Sequence, residues 1–196
     1  MLNINIKERN IRIIFVCLGN ICRSPSAEAV FKNIIQKRGI SNLFEIDSAG
    51  LHGYHEGERA DARMRRHASN RGIELTSISR PIKFSDIEYF DLVIGMDDSN
   101  ISALRRLAGE KYRSKIFKMT DFRIDTAYTE VPDPYYGGDA GFELVLDILE
   151  DSCEGLLNQI LNSECQQVAL YKVIKFYQRK ILEKKLHAHY FCLIRM

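Results

Sequence analysis

The chain has 196 residues, 45% of them hydrophobic and 28% charged, which suits one good-sized core and excludes a disordered, collagenous or repeat composition. Its net charge of +2 divides into 21 Lys+Arg against 25 Asp+Glu in residues 1–165 and 7 against 1 in residues 166–196, so the body is acidic, only the tail is basic, and a nucleic-acid-binding body is excluded. No apolar run reaches the ~18–20 residues of a membrane span, the first residues lack the hydrophobic region of a signal peptide, and five cysteines without framework spacing point to thiols in a reducing cytoplasm.

In chain order, Arg12 to Val16 is a short, β-branched apolar run, the pattern of a strand buried on both faces of a parallel sheet. It ends at Cys17-Leu18-Gly19-Asn20. After Ser24 the spacing of Ala27, Val30, Phe31, Ile34 and Ile35 becomes helical, with Pro25 expected at the first helical position and Gly39 past the last turn. A second strand fits Phe44 to Ser48. A loop through Glu58 follows, then a polar, Arg-rich helix from about Asp61 to Asn70 that stops at Gly72. Asp91 to Gly95 reads as a third buried strand, with Asp98 or Ser99 capping a helix that runs to about Leu107. Lys115 to Met119 is a fourth. Thr120 to Gly141, with Pro132 and Pro134, reads as a long functional surface loop, and Phe142 to about Ile160 returns to helical spacing. Strands alternating with helices predict an α/β three-layer sandwich built on a four-stranded parallel sheet. The expected domain covers residues 1–165. In the basic extension, residues 166–196, Leu170, Ile174, Tyr177 and Ile181 form a stripe at helical spacing among lysines and arginines. Such a stripe can meet an anionic membrane, although a packed or frayed terminal helix is the commoner outcome.

The chemistry concentrates in Cys17-Leu18-Gly19-Asn20-Ile21-Cys22-Arg23-Ser24, between a buried strand and a helix start. A strand-to-helix turn directs consecutive backbone N–H groups and the positive end of the helix dipole into one concavity, a site for phosphate that needs no metal. The same field favours the thiolate of Cys17. The planar fork of Arg23 holds two phosphate oxygens and gains purchase as the phosphoryl group flattens. Gly19 and Asn20 are residue types that accept left-handed backbone angles, and the Ser24 hydroxyl is close enough in sequence to bond the Cys17 sulfur. A buried strand-end cysteine is more often simple packing; the strand, the glycine and the helix start together argue otherwise.

The stretch Val16 to Pro25 resembles the signature of the low-molecular-weight protein tyrosine phosphatases. Asp47-Ser48-Ala49-Gly50, Met96-Asp97-Asp98-Ser99-Asn100 and Asp133-Pro134-Tyr135-Tyr136-Gly137 agree in order, so that the match covers roughly Ile11 to Gln159. The resemblance implies hydrolysis of phosphotyrosine in proteins and of small aryl phosphates, without metal or cofactor. Cys17 would attack phosphorus to form a phosphocysteine, Arg23 would bind the phosphoryl oxygens, and Asp133 would protonate the leaving phenol and then activate water. It also implies that Leu18, Gly19, Asn20, Ile21, Cys22 and Ser24 surround the phosphate, that Asn20 and Ser48 hold the loop in shape, that Tyr135 and Tyr136 line the gorge, and that Tyr54 is an aromatic specificity residue. Many animal members have a histidine where Arg71 stands, so the loop-supporting bond attributed to that histidine is not carried over to this chain. Cys22 is a candidate for a reversible disulfide with Cys17 or a filled position in the loop. His52 with His55, and His187 with His189, lack the companions of a metal site. An arsenate reductase of this fold needs two further mid-chain cysteines, and none lies between Arg23 and Ser152. A protein-arginine phosphatase is the nearer rival, but Ile21 stands where those enzymes resemble this chain with threonine, and the double tyrosine favours a phenolic ester. Intact Cys17, Arg23 and Asp133 argue against a silent phosphotyrosine-binding module.

Overall fold

The computed structural model describes residues 10–163 except 126 and 136. The chain divides into two units, of which the larger is Ile6–Gln159; of the second, residues 160–163 are described and helical. The basic stripe of the extension and Tyr136 lie outside the described residues.

In the larger unit the strands β1 (Ile11–Cys17), β2 (Phe44–Gly50), β3 (Leu92–Gly95) and β4 (Ile116–Lys118) form one sheet in the order β2-β1-β3-β4. All pairings are parallel, and Ile13 of β1 lies between Ile46 and Leu92. The helices are α1 (Arg23–Lys37), α2 (Ala62–Asn70), α3 (Phe84–Tyr89) and α4 (Asp98–Tyr112), followed by α5 over 138–163, whose first part to residue 159 belongs to this unit. Alternation along β1 sends Ile14 and Val16 to one face, where Val93 and Ile116 join Ile87, Phe90, Ile101 and Leu104 of the α3–α4 layer. Phe15 faces the other way and meets Phe31 of α1 at 6.0 Å between ring centroids. On that side α5 packs over α1, with Cys153 Sγ 3.8 Å from the Ala27 carbonyl and Arg38 paired with Glu154. The three-layer α/β architecture is therefore the expected one. Each large apolar side chain it buries contributes about 1.5–3 kcal/mol relative to exposure.

Several boundaries differ from the sequence expectation. Helix α1 begins at Arg23, which makes Pro25 its third residue; the first N–H groups of a helix have no internal acceptor, so proline costs nothing there. The cap of α4 is Asp97, one residue before the two proposed, and its carboxylate accepts from the Asn100 N–H at 2.7 Å. Regular α4 geometry breaks at Gly109, where φ is 60°. Helix α5 starts near residue 138 rather than Phe142 because α2 pins its first turns: Asp139 meets Arg66 at 3.0 Å, and Glu143 holds His67 and Arg71. Arg71 thus joins α2 to α5, with Asp147 at 2.8 Å as a further partner. The short helix α3 was not foreseen; it buries only Ile87 and is capped by Asp86, which accepts from the Lys83 N–H at 2.7 Å.

One contact fixes how closely α5 approaches the 3-10 turn Met119–Phe122 that follows β4. A Cβ on Gly155 would lie 1.8 Å from the Phe122 carbonyl oxygen, so the helix tolerates no side chain there. A glycine-to-alanine change inside an unconstrained helix gains about 1 kcal/mol. Gly155→Ala is expected to reverse that sign and cost about 1–3 kcal/mol through overpacking, read as a lowered denaturation midpoint with unchanged slope in urea.

Candidate active site

Cys17 is the last residue of β1, buried, with its Sγ 3.1 Å from the Ser24 Oγ. Between β1 and α1 the carbonyls of the loop are turned outward and occupied. Those of Cys17 and Leu18 accept from the N–H groups of Leu51 and His52 at 2.9 and 3.0 Å, that of Ile21 accepts from the Asp61 N–H at 2.8 Å, and that of Gly19 accepts from the Ser79 hydroxyl at 3.1 Å. The Cys22 carbonyl accepts from the Ser26 hydroxyl at 2.7 Å. Because C=O and the following N–H point opposite ways across a trans peptide plane, these bonds turn the N–H groups of Leu18, Gly19, Asn20, Cys22 and Arg23 toward the inside. The loop is an amide-lined cradle built by its neighbours.

The turn is made at Asn20, among the described residues the one non-glycine with positive φ, 56°; Gly19, expected to share that role, has no positive φ. Asn20 is 1% exposed and its amide is fully used. Nδ2 donates to Ser24 Oγ and Ser48 Oγ, each at 2.9 Å, and Oδ1 accepts from the Arg80 N–H at 3.0 Å. Ser48 donates onward to Glu28 Oε2 at 2.5 Å, and Arg80 is held by Asp47 at 2.7 Å and Asp86 at 2.9 Å. Support of Ser48 therefore comes from buried Glu28 of α1. Gly50 allows the close approach of β2, since a Cβ there would lie 3.0 Å from the Gly19 carbonyl carbon. Ser24 has one proton, which it can give to the Cys17 sulfur or to the Ala49 carbonyl 3.2 Å away.

Over the cradle opens a pocket of about 330 Å³ lined by Cys17, Leu18, Gly19, Ile21, Cys22, Arg23, His55, Asp133 and Tyr135. Arg23 is 4% exposed and its fork is divided between two carboxylates, Asp97 at 2.6 Å and Asp133 at 2.9 Å, with the Val131 carbonyl at 3.3 Å. Burial opposes its charge, but the neighbouring Cys17, Asp133 and Asp97 outweigh burial and raise its pKa further. Asp97 is itself raised by burial and lowered more by bonds from Ser99, the Asn100 N–H and Arg23, so that its carboxyl is held below the ordinary value. Asp133 is half-exposed and accepts from the Tyr135 N–H at 3.1 Å. Burial foremost, then Asp61 and Cys17, pushes the Cys22 thiol up to about 12; Cys17 and Cys22 are not joined in a disulfide.

Of the residues singled out in the sequence, the structure thus gathers Cys17, Leu18, Gly19, Ile21, Cys22, Arg23, Asp133 and Tyr135 around one pocket, and sets Asn20, Ser24 and Ser48 behind the loop as its clasp. Tyr54 does not line the pocket. It is 83% exposed and stacks on His52 at 5.3 Å, because the turn closed by the Glu56 N–H on the Gly53 carbonyl presents the next residue, His55, instead. His55 Nδ1 in turn bonds Glu58 at 2.8 Å. Sequence reasoning missed the Asp97 carboxylate on Arg23, Glu28 under Ser48, and the Ser79-Arg80 clamp. Among the described residues no three His, Cys, Asp or Glu side chains are gathered for a metal.

A family model described as low molecular weight phosphotyrosine protein phosphatase matches residues 12–167. A low molecular weight protein-tyrosine-phosphatase of Streptomyces coelicolor is 42% identical over 149 residues, 74% of this chain and 91% of that protein. The crystal structure of a protein tyrosine phosphatase from Entamoeba histolytica, with Hepes in its active site, superimposes with a TM-score of 0.77 at 49% identity, covering 79% of this chain and 99% of that one. A Drosophila arginine phosphatase gives a TM-score of 0.72 at 29% identity over 76% of this chain and 98% of its own.

The Asp97 bonds make an acid-side prediction. A carboxyl held below its unfolded value contributes stability above that value and loses it as pH falls through the lower folded one. Between pH 5 and about pH 3 the unaltered chain should lose urea stability more steeply than Asp97→Asn. Parallel curves would show that the Arg23–Asp97 pair contributes nothing to the fold.

Proposed function

The chain belongs to the low molecular weight phosphotyrosine protein phosphatase family, and from that membership we propose that it hydrolyses phosphotyrosine in proteins, and small aryl phosphates, through a covalent phosphocysteine on Cys17. The observation that carries the reading is the arrangement of Arg23, Cys17 and inward amides around one small pocket. An incoming phosphate dianion displaces Asp133 from the Arg23 fork and takes its place, while Asp97 keeps the guanidinium aligned from behind. The Cys17 sulfur then forms a bond to phosphorus as the P–O bond to the phenol breaks, and Asp133, which takes up a proton from solvent once it leaves the arginine, gives that proton to the departing oxygen. Water next attacks phosphorus, its proton passes to Asp133, the S–P bond breaks, and inorganic phosphate leaves with the thiolate restored. The amides and Arg23 stabilise the flattened phosphoryl group throughout, and Ser24 hydrogen-bonds the departing sulfur.

Tyr135 supplies an aromatic wall, itself braced by Arg63, whose guanidinium lies 5.1 Å from the ring centroid. Such a wall suits a phenyl ring, and apolar Ile21 at the pocket favours a phenolic ester over a phosphoguanidine. We assign catalysis to residues 1–165 and regard 166–196 as a basic appendage. The need for a reduced Cys17 supports a cytoplasmic setting for the reaction.

Phosphotyrosine and phosphoarginine peptides of the same sequence, assayed side by side, test the proposal. Phosphotyrosine turnover should dominate, resist EDTA and be blocked by vanadate. Cys17→Ser should lower kcat by at least about a thousandfold, and Asp133→Asn by about 10²–10⁴. Faster release from phosphoarginine would transfer the chain to the rival activity, and undiminished turnover by Cys17→Ser would overturn the mechanism.

A further inference from the structure

Helix α2 borders the pocket without lining its floor. The N–H of its cap, Asp61, is bonded to Ile21 of the cradle, and Arg63 donates to the Tyr135 carbonyl at 3.3 Å while lying over that ring. The helix distributes its side chains by face. Met64, His67 and Ala68 are buried, Arg63 is turned to the tyrosine wall, and residues 62, 65, 66 and 69 share a remaining face through their three- and four-residue spacing. On that face lies a second hollow of about 390 Å³ lined by Arg59, Arg65, Arg66, Ser69 and Thr76, with Glu74 as its acidic member.

Its cations are incompletely used. Arg59 is exposed, and among the described residues its guanidinium has no hydrogen-bond or ion-pair partner. Arg65 gives its Nε–H to the Ala60 carbonyl at 2.9 Å, which leaves the two terminal nitrogens of the fork to solvent. Arg66 is paired with Asp139 at 3.0 Å, an exposed contact. Two available guanidinium forks, Arg59 just before α2 and Arg65 on it, have no role in folding that the contacts reveal. They also stand out against a body that is acidic overall.

We infer that this hollow receives acidic side chains flanking the phosphotyrosine, so that the substrate class is phosphotyrosine within an Asp/Glu-rich segment. The inference rests on the phosphatase reading of the adjoining pocket. A bidentate Arg fork matches a carboxylate, and the contiguity through Asp61 and Ile21 lets one extended peptide, advancing about 3.3 Å per residue, touch both places. Solvated pairs of this kind are individually weak and screened by salt, so they bias the choice of substrate without holding product.

The full chain would be assayed by kcat/KM on three phosphotyrosine peptides that differ only in flanking residues, Glu, Gln or Lys on both sides, at low and high salt. The unaltered chain should prefer the Glu peptide over the Lys peptide by about three- to tenfold, and high salt should compress that ratio toward one. R59E, whose side chain holds nothing in the fold, and R59E combined with R65Q should shrink or invert the ratio, a quantity that a uniform loss of activity leaves untouched. A ratio of one in the unaltered chain, or a preference that survives both variants, would overturn the inference. Turnover of 4-nitrophenyl phosphate by the unaltered chain reports separately on the phosphatase reading, so the two can fail independently.

Discussion

The site depends on one left-handed residue. Asn20 adopts a backbone angle that costs an ordinary L-residue roughly 1–2 kcal/mol, and its own side chain secures it there by joining Ser24, Ser48 and the Arg80 backbone. A glycine would adopt the angle more readily but would supply none of the three bonds. Asparagine meets both requirements at a position too buried for water to substitute. Once that turn is fixed, the carbonyls on either side find donors in the segments after β2, at the cap of α2 and at Ser79, and the amides are left facing the pocket. Preorganisation of this kind spares the protein from ordering dipoles during the reaction.

The second constraint is electrostatic. A guanidinium 4% exposed cannot be left unpaired, because an isolated buried charge is costly. Two carboxylates of different exposure satisfy it. Asp97 also caps α4, whereas Asp133 sits half-exposed on the segment before α5, and on the proposed reading it is Asp133 that yields its position to phosphate. The same arginine thereby ties β1's loop to two distant segments, and on the proposed reading it is also the receptor for the phosphate. Helix α2 links these parts, since it touches the cradle through Asp61, the tyrosine wall through Arg63, and the start of α5 through Arg66, His67 and Arg71.

Much of this was legible in the sequence because it is local. The apolar runs of β1 and β3, and the contiguous stretch from Cys17 to Pro25, carry their meaning within ten residues, and so the sheet, the loop and its cysteine could be read directly. What escaped depends on partners far along the chain. Nothing near Arg23 announces Asp97, and nothing near Ser48 announces Glu28. The start of α5 is set by cations on α2 rather than by its own apolar period, which is why Phe142 looked like the first turn. Tyr54 and His55 differ by one position, and only the turn at Gly53 decides which of them meets the pocket.

The central claim is that Cys17 carries the phosphoryl group during turnover. Quenching the full chain in acid while it hydrolyses an aryl phosphate, followed by peptide mass analysis, reads this directly. The account predicts one added phosphoryl group on the peptide containing Cys17, located on that sulfur, rising and decaying with substrate and absent from Cys17→Ser. Turnover with no covalent phosphate on Cys17, or with the phosphoryl group on another side chain, would contradict it.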